Sequence, residues 1–175
     1  PRLSVQVVDA RPIEARHRVK AEGLTFELEA YELTAVERIT GALAASGRSV
    51  TYDPVEVRFR TRGRLVALPP MSDAARRHLA ASLSDVLCAH LLADADDFAV
   101  TTHHELGPGA LVVVDRHVQG MGVVEALDDL SVARALSWVR ALLASCSCAT
   151  GCPKCTPDDV IAQADKIGVL GALGG

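Results

Sequence analysis

The chain holds 175 residues, of which 49% are hydrophobic and 23% charged, with a formal net charge of -4. That composition is globular and long enough for one domain with its own core or two small ones, and its acidic balance excludes a protein that gathers nucleic acid by overall charge. No apolar run approaches the roughly 18 residues of a membrane span and no signal-peptide pattern opens the chain, so no membrane partner and a cytoplasmic location are expected.

Residues 3–68 read mostly as strands. LSVQVV alternates, with Leu3, Val5 and Val7 on one side. The charged stretch RPIEARHRVKAEG leads into a second strand. LTFELEAYELTAVERITG continues in strand fashion, although YELTAVERI also fits a helix. Gly41 to Arg48 is a small-residue connection ending in a turn at Ser46-Gly47. In VTYDPVEVRFRTRGRLVAL, Val55, Val57, Phe59 and Thr61 point one way and Glu56, Arg58, Arg60 and Arg62 the other. Pro54 belongs at the strand's start or on an edge, and Gly63 marks a bulge.

Pro69-Pro70 breaks the strand pattern and is the one internal boundary on offer. It gives a β-rich subdomain over 1–68 and an α/β subdomain over 69–175, which could also form one continuous domain. Ser72 is a good N-cap, and Leu79, Leu83, Val86, Leu87 and Leu91 recur at helical spacing, so a helix is expected from about Asp73 to Ala93. Phe98 to Thr101 is short and apolar. ALVVVD, continuous and β-branched, reads as a buried strand. A helix over Val123 to Leu127 and another over Ser131 to Ala144 follow, the second with Val132, Leu136, Val139 and Leu143 on one face. The tail holds one short helix. The fold class is therefore α+β: an antiparallel β-rich N-terminal part, then a helix–strand–helix unit closed by a four-cysteine knuckle.

Four of the five cysteines crowd into CSCATGCPKC, at Cys146, Cys148, Cys152 and Cys155. Without a secretion signal, clustered thiols point to metal more than to a disulfide framework. Four soft thiolates satisfy tetrahedral zinc and leave no open position, so the ion braces a loop and does not catalyse. Gly151 lets the two halves fold closely, and Pro153 stiffens the second. Paired disulfides, free thiols or an iron–sulfur cluster remain the competing readings. Cys88, inside the first helix, is a small core residue.

Two basic sets stand out. Arg58, Arg60, Arg62 and Arg64 occupy alternate positions and would form a cationic stripe of about 20 Å at roughly 3.3 Å per residue, suited to a phosphate backbone. The bland reading, a solvated sheet face paired with Glu56 and other acids, is favoured. It applies equally to Arg11, Arg16, Arg18 and Lys20. His103, His104, Glu105, Asp115 and His117 suggest a hydrolytic metal site, but no spacing matches a defined ligand motif. Trp138 reads as helix packing, and an aromatic content of 3% argues against a base-stacking platform.

CSCATGCPKC resembles the signature of the MrfA-type zinc-binding (MZB) domain found at the C-terminus of certain superfamily 2 DEAD/DEAH-box helicases. VVVDRHVQGMGVVEAL is similar to the family's strand ending in Asp, glycine turn and helix with Glu, here Asp115, Gly120, Gly122 and Glu125. Val118-Gln119 stands where the family often has Pro-Gly. Asp165-Lys166 after the cysteines, FRTRGRLVALPP and RRHLAASL add to the resemblance, which spans about residues 50–170. Asp115 then caps or braces the glycine turn, and the two glycines permit close helix–strand approach with positive φ at one of them. The resemblance implies Zn2+, a DNA-repair or genome-defence setting, a helicase motor in the same chain or a separate one, and single-stranded DNA nearby. This sequence holds no G-x-x-x-x-G-K-[ST] phosphate loop. The expected role is accessory, shaping a DNA path or docking to the motor. The alternative is a protein-interaction module stabilised by structural zinc, with no direct DNA contact.

Overall fold

The structure, a computed structural model, describes residues 2–40, 42–45, 48–51, 55–118 and 122–174. Three long strands dominate: β1 (Arg2–Pro12), β3 (Leu24–Thr40) and β6 (Val55–Ala67). Short β2 (His17–Ala21) shares β3 with β1. A small hairpin, β4 (Ala42–Ala45) and β5 (Arg48–Thr51), lies between β3 and β6, so the small-residue connection is itself strand. β7 (Phe98–Thr102) and β8 (Ala110–Asp115) complete an antiparallel sheet of order β1-β3-β6-β8-β7. YELTAVERI is strand, because its alternation buries Tyr31, Leu33 and Ala35 on one face. Ser46-Gly47 and Pro54 lie outside the described residues.

The sheet curls until its outer strands meet, and Thr101 Oγ1 donates to the Val5 carbonyl at 3.1 Å. Strand alternation then builds two cores. Val7, Tyr31, Leu33, Ala35, Phe59, Leu65, Val112 and Val114 fill the inside of the curl. Phe26, Leu28, Val66, Leu111 and Val113 face outward beneath the helices. β8 serves both cores, and all six of its residues are buried, which explains its unbroken apolar run.

Gly63 marks no bulge. The β3–β6 register runs without interruption from Glu27 opposite Ala67 to Ile39 opposite Val55. Gly63 sits opposite Tyr31 and Val114, where a Cβ would collide with the Leu33 side chain, so the glycine leaves room for core packing. The irregularity falls instead in β1, between Val7 and Asp9.

Three helices cover the outer face. α1 (Asp73–Leu91) starts at Ser72, whose hydroxyl accepts from the Ala75 N–H at 3.0 Å, and ends where Leu92 turns left-handed at φ 52°. Leu79, Leu83 and Leu87 are buried as their spacing predicts. α2 (Asp129–Ser145) starts two residues before Ser131, because Asp128 accepts the Ser131 N–H at 2.7 Å. The helix expected over Val123 to Leu127 does not form. A few turn hydrogen bonds, such as Ala126 N–H to Gly122 O at 3.1 Å, precede the Asp128 cap, and the apolar signal came from two buried turn residues, Val124 and Leu127. α3 (Lys166–Ala172) closes the layer against α1 and α2. No helix among the described residues is long and apolar enough to cross a membrane.

Candidate metal centre

The cysteine knuckle begins where α2 stops. Cys146 is the C-cap of that helix, in extended conformation, so its sulfur leaves the helix axis toward the returning chain. The second pair sits on a tight turn in which the Cys155 and Thr156 N–H groups both donate to the Cys152 carbonyl at 3.0 Å. Gly151 bridges the halves; a Cβ there would lie 2.6 Å from Ala164 Cβ and 2.7 Å from Thr156 Oγ1, so only glycine passes.

This geometry brings the four sulfurs together. Cys146 and Cys152 stand 3.5 Å apart, Cys148 and Cys155 3.5 Å, and Cys152 and Cys155 3.9 Å, with every sulfur within 4.8 Å of the others. A zinc–sulfur bond of about 2.3 Å places the corners of a tetrahedron about 3.8 Å apart, so these spacings suit that ion. All five cysteines are free thiols, and the sulfur separations are far beyond the roughly 2.05 Å of a disulfide. With only protons to share, the thiols titrate unequally. The Cys148 backbone N–H and the Cys152 thiol hold Cys146 down at about 6, whereas burial pushes Cys148 up to about 12. A divalent cation removes that conflict by compensating the thiolates together.

The shell around the sulfurs is built from distant parts of the chain. Lys166 is only 6% exposed, and its ammonium donates to the carbonyls of Cys146 and Cys148. Four thiolates around a divalent ion carry a net charge of two minus, and this buried cation offsets part of it. Thr156 Oγ1 lies 3.6 Å from the Cys155 sulfur and 3.1 Å from Nε2 of His78 on α1. Burial holds the His78 imidazole below its usual range, hence neutral. Asp165 accepts from Ser72 Oγ at 2.7 Å and from the Gly168 N–H at 2.8 Å, tying the starts of α1 and α3.

The arginines on β6 are placed as a row, on the sheet face that also carries the helices. Arg64 is held inward by Glu14 at 3.1 Å, and Arg62 pairs with Glu125 at 2.7 Å. Glu56 pairs with Arg38 instead. Arg58 and Arg60 are exposed and have no acidic partner among the described residues. Arg60 and Arg62, with Asp9, Arg11 and Thr34, line an open groove of about 650 Å³. The second basic set is mostly neutralised along β3: Arg11 with Glu32, Arg16 with Glu29 and Arg18 with Glu27.

Asp115 is fully buried at the end of β8. Burial and then Glu125 push its carboxyl up, while the backbone N–H groups of Val124 and Gly122 pull the other way. Gly122 has φ +85°, and a Cβ there would meet nothing within 4 Å, so its backbone angle rather than close packing calls for glycine. Gly120 lies outside the described residues. Among the described residues the four cysteines are the one converging group of three or more potential metal ligands; His103, Glu105, Asp115 and His117 form none. Cys88 is partly buried against the helical core. Trp138 is 51% exposed, its ring edge-to-face with His90.

A curled antiparallel sheet, a helical layer on its outer face and a four-thiolate knuckle pinning that layer define an α+β zinc-binding domain. Residues 79–156 match the family described as MrfA Zn-binding domain, and zinc is the metal that the four cysteines within that stretch are placed to hold. The fold is similar to two solved structures. The crystal structure of DUF1998 helicase MrfA bound to DNA superposes with a TM-score of 0.59 at 13% identity, over 99% of this chain and 24% of that one. The crystal structure of DUF1998 helicase MrfA gives 0.56 at 15%, over 95% and 24%. The chain thus spans about a quarter of the length of those helicase chains. No curated protein matches it in sequence.

Proposed function

We propose that this chain is the accessory zinc-binding domain of a DEAD/DEAH-box helicase acting in DNA repair or genome defence, and that it guides single-stranded DNA along the Arg58–Arg60 end of β6. The MZB match over residues 79–156 carries the helicase association. The DNA path is supported by two exposed guanidinium groups without acidic partners among the described residues, one residue pair apart on one face of a strand. The motor is supplied by the rest of such a protein or by a separate chain, since this sequence holds no phosphate-binding loop. Residues 1–68 and 69–175 act as one unit in this reading, because β6 and β8 share a ladder across Pro69-Pro70.

Binding of a labelled single-stranded oligonucleotide, followed by anisotropy at rising salt, tests the DNA path. The expected result is affinity that falls steeply with salt. Arg58→Ala with Arg60→Ala should weaken binding and flatten the log–log salt slope by about 1.4, at roughly 0.7 per lost phosphate contact. Absence of binding at low salt, or an unchanged slope in the double variant, overturns it.

A further inference from the structure

The helical layer leaves one groove open. Ser82, Val86 and His90 lie on successive turns of α1, and Trp138 and Leu142 on successive turns of α2. The rows meet where the His90 and Trp138 rings stand edge to face, 5.4 Å between centroids. Farther along, Ser82, Val86 and Leu142 line an open cavity of about 320 Å³, whose other wall is the chain through and beyond the second cysteine pair, Pro153 to Asp158. α2 already buries Val132, Leu136, Val139 and Leu143 on its inner side. Trp138 at 51% exposure and Leu142 at 42% therefore form a second apolar row that the described residues leave uncovered.

Charge distinguishes this groove from the arginine arm. Asp85 and Asp158 line it, and Asp159 acts on Asp85, against the single amine of Lys154. Arg134, one turn before Trp138, does not line the cavity and makes a minor electrostatic contribution to lowering the Asp128 carboxyl. Partial desolvation and then Asp159 push the carboxyl of exposed Asp85 up, and a cation brought from outside would favour its ionised form. Below it, Ser82 is 2% exposed and its hydroxyl oxygen has no hydrogen-bond partner among the described residues.

We propose that the α1–α2 groove beside the zinc knuckle docks a basic, amphipathic protein segment. Its apolar side chains cover Trp138 and Leu142, and an arginine or lysine reaches Asp85 and Asp158. A large aromatic beside a charge slot is the usual make-up of an interface centre. Nucleic acid is disfavoured here, because carboxylates outnumber the amine and repel phosphate. The inference does not rest on the DNA reading of the arginine arm, with which the groove shares no residue. The knuckle supplies one wall, so zinc shapes the docking surface as well as bracing the fold.

Two labelled synthetic helical peptides of about 12 residues test it, one with leucines and arginines along one face and one with glutamates replacing the arginines. Both are titrated into the zinc-loaded protein and read by anisotropy and by backbone amide shifts. The basic peptide should bind, moving amides of residues 82–90, 138–142, 154–156 and 158, while the acidic peptide binds at least about tenfold more weakly. Asp85→Lys with Asp158→Lys should reduce affinity about tenfold, the worth of roughly one charge contact, with zinc content and circular dichroism unchanged. Trp138→Ala supplies an independent apolar check and should weaken binding similarly. Failure of the basic peptide to bind at about 1 mM, equal binding of both peptides, shifts mapped elsewhere, or preferential movement of the groove amides by a single-stranded oligonucleotide each overturns it.

Discussion

The ammonium nitrogen of Lys166 donates to the carbonyl of Cys148 at 2.9 Å and stands 4.0 Å from that residue's sulfur. A lysine buried to 6% exposure would be costly without partners; here two carbonyls and a sulfur-rich anionic centre receive it. Lys166→Met keeps much of the stem's volume and removes the charge. We expect the variant to fold with zinc but to bind it about 10–100-fold more weakly, as for other outer-shell partners. Competition against a chromophoric chelator reads this directly, and equal affinity in the two proteins would contradict the role.

Removing the ion should loosen the two cores unequally. Cys155 belongs to the core under the helices, with Cys146, Cys148 and Cys152 packed against it, whereas the core inside the curl contains none of them. Metal analysis should give one zinc per chain. After chelation, amide exchange should rise first in α3, the end of α2 and residues 146–156, while β3, β6 and β8 stay protected longest. Simultaneous loss of protection everywhere would show that the helical layer and the curl unfold as one unit.

Asp165 makes stability depend on acidity. Its hydrogen bonds from Ser72 and then from the Gly168 N–H hold its carboxyl below the usual range. A carboxylate depressed in the folded state stabilises above its unfolded pKa of about 3.9, and that stabilisation disappears as pH falls through the folded value. Asp165→Ala should cost about 1 kcal/mol at pH 7, the usual worth of a helix cap. The gap between wild type and variant should close in acid, and taking the difference cancels the protonation of cysteines common to both. A gap unchanged down to pH 2 would show that the charge contributes nothing.

The parts of the fold legible in the sequence are those with a strong local signature. The cysteine spacing, the Ser72 cap, the leucines of α1 and the unbroken apolar run of β8 each depend on residues close in sequence. Partnerships set by tertiary placement left no such trace. Lys166 is buried while neighbouring Ile167 is 74% exposed, the inverse of what hydropathy suggests, because the short helix turns its lysine toward the knuckle. His78 reads as an ordinary helical residue until Thr156 is brought to it from 78 positions away. Val124 and Leu127 mimicked a helical period, yet Asp128 starts the helix just after them. The arginine alternation was visible, but its division into inner arginines with acidic partners and outer ones without depends on where Glu14 and Glu125 arrive.

Gly63 offers the sharpest test of the curled sheet. It lies in regular register, and a Cβ there would strike Leu33 Cδ1 while standing 3.2 Å from the Val113 carbonyl oxygen. Leu33 is 2% exposed, enclosed by the inner core, and has little room to retreat. Gly63→Ala should therefore destabilise the protein by about 1–3 kcal/mol through overpacking, although alanine ordinarily favours a strand over glycine. Leu33→Ala alone should cost about 2–5 kcal/mol by leaving a cavity. Together the two changes should cost less than their sum, because each relieves the other's fault. Urea denaturation of the four proteins gives the coupling. Strict additivity would mean that Gly63 and Leu33 do not share the space, and that the inner face of the sheet is packed differently.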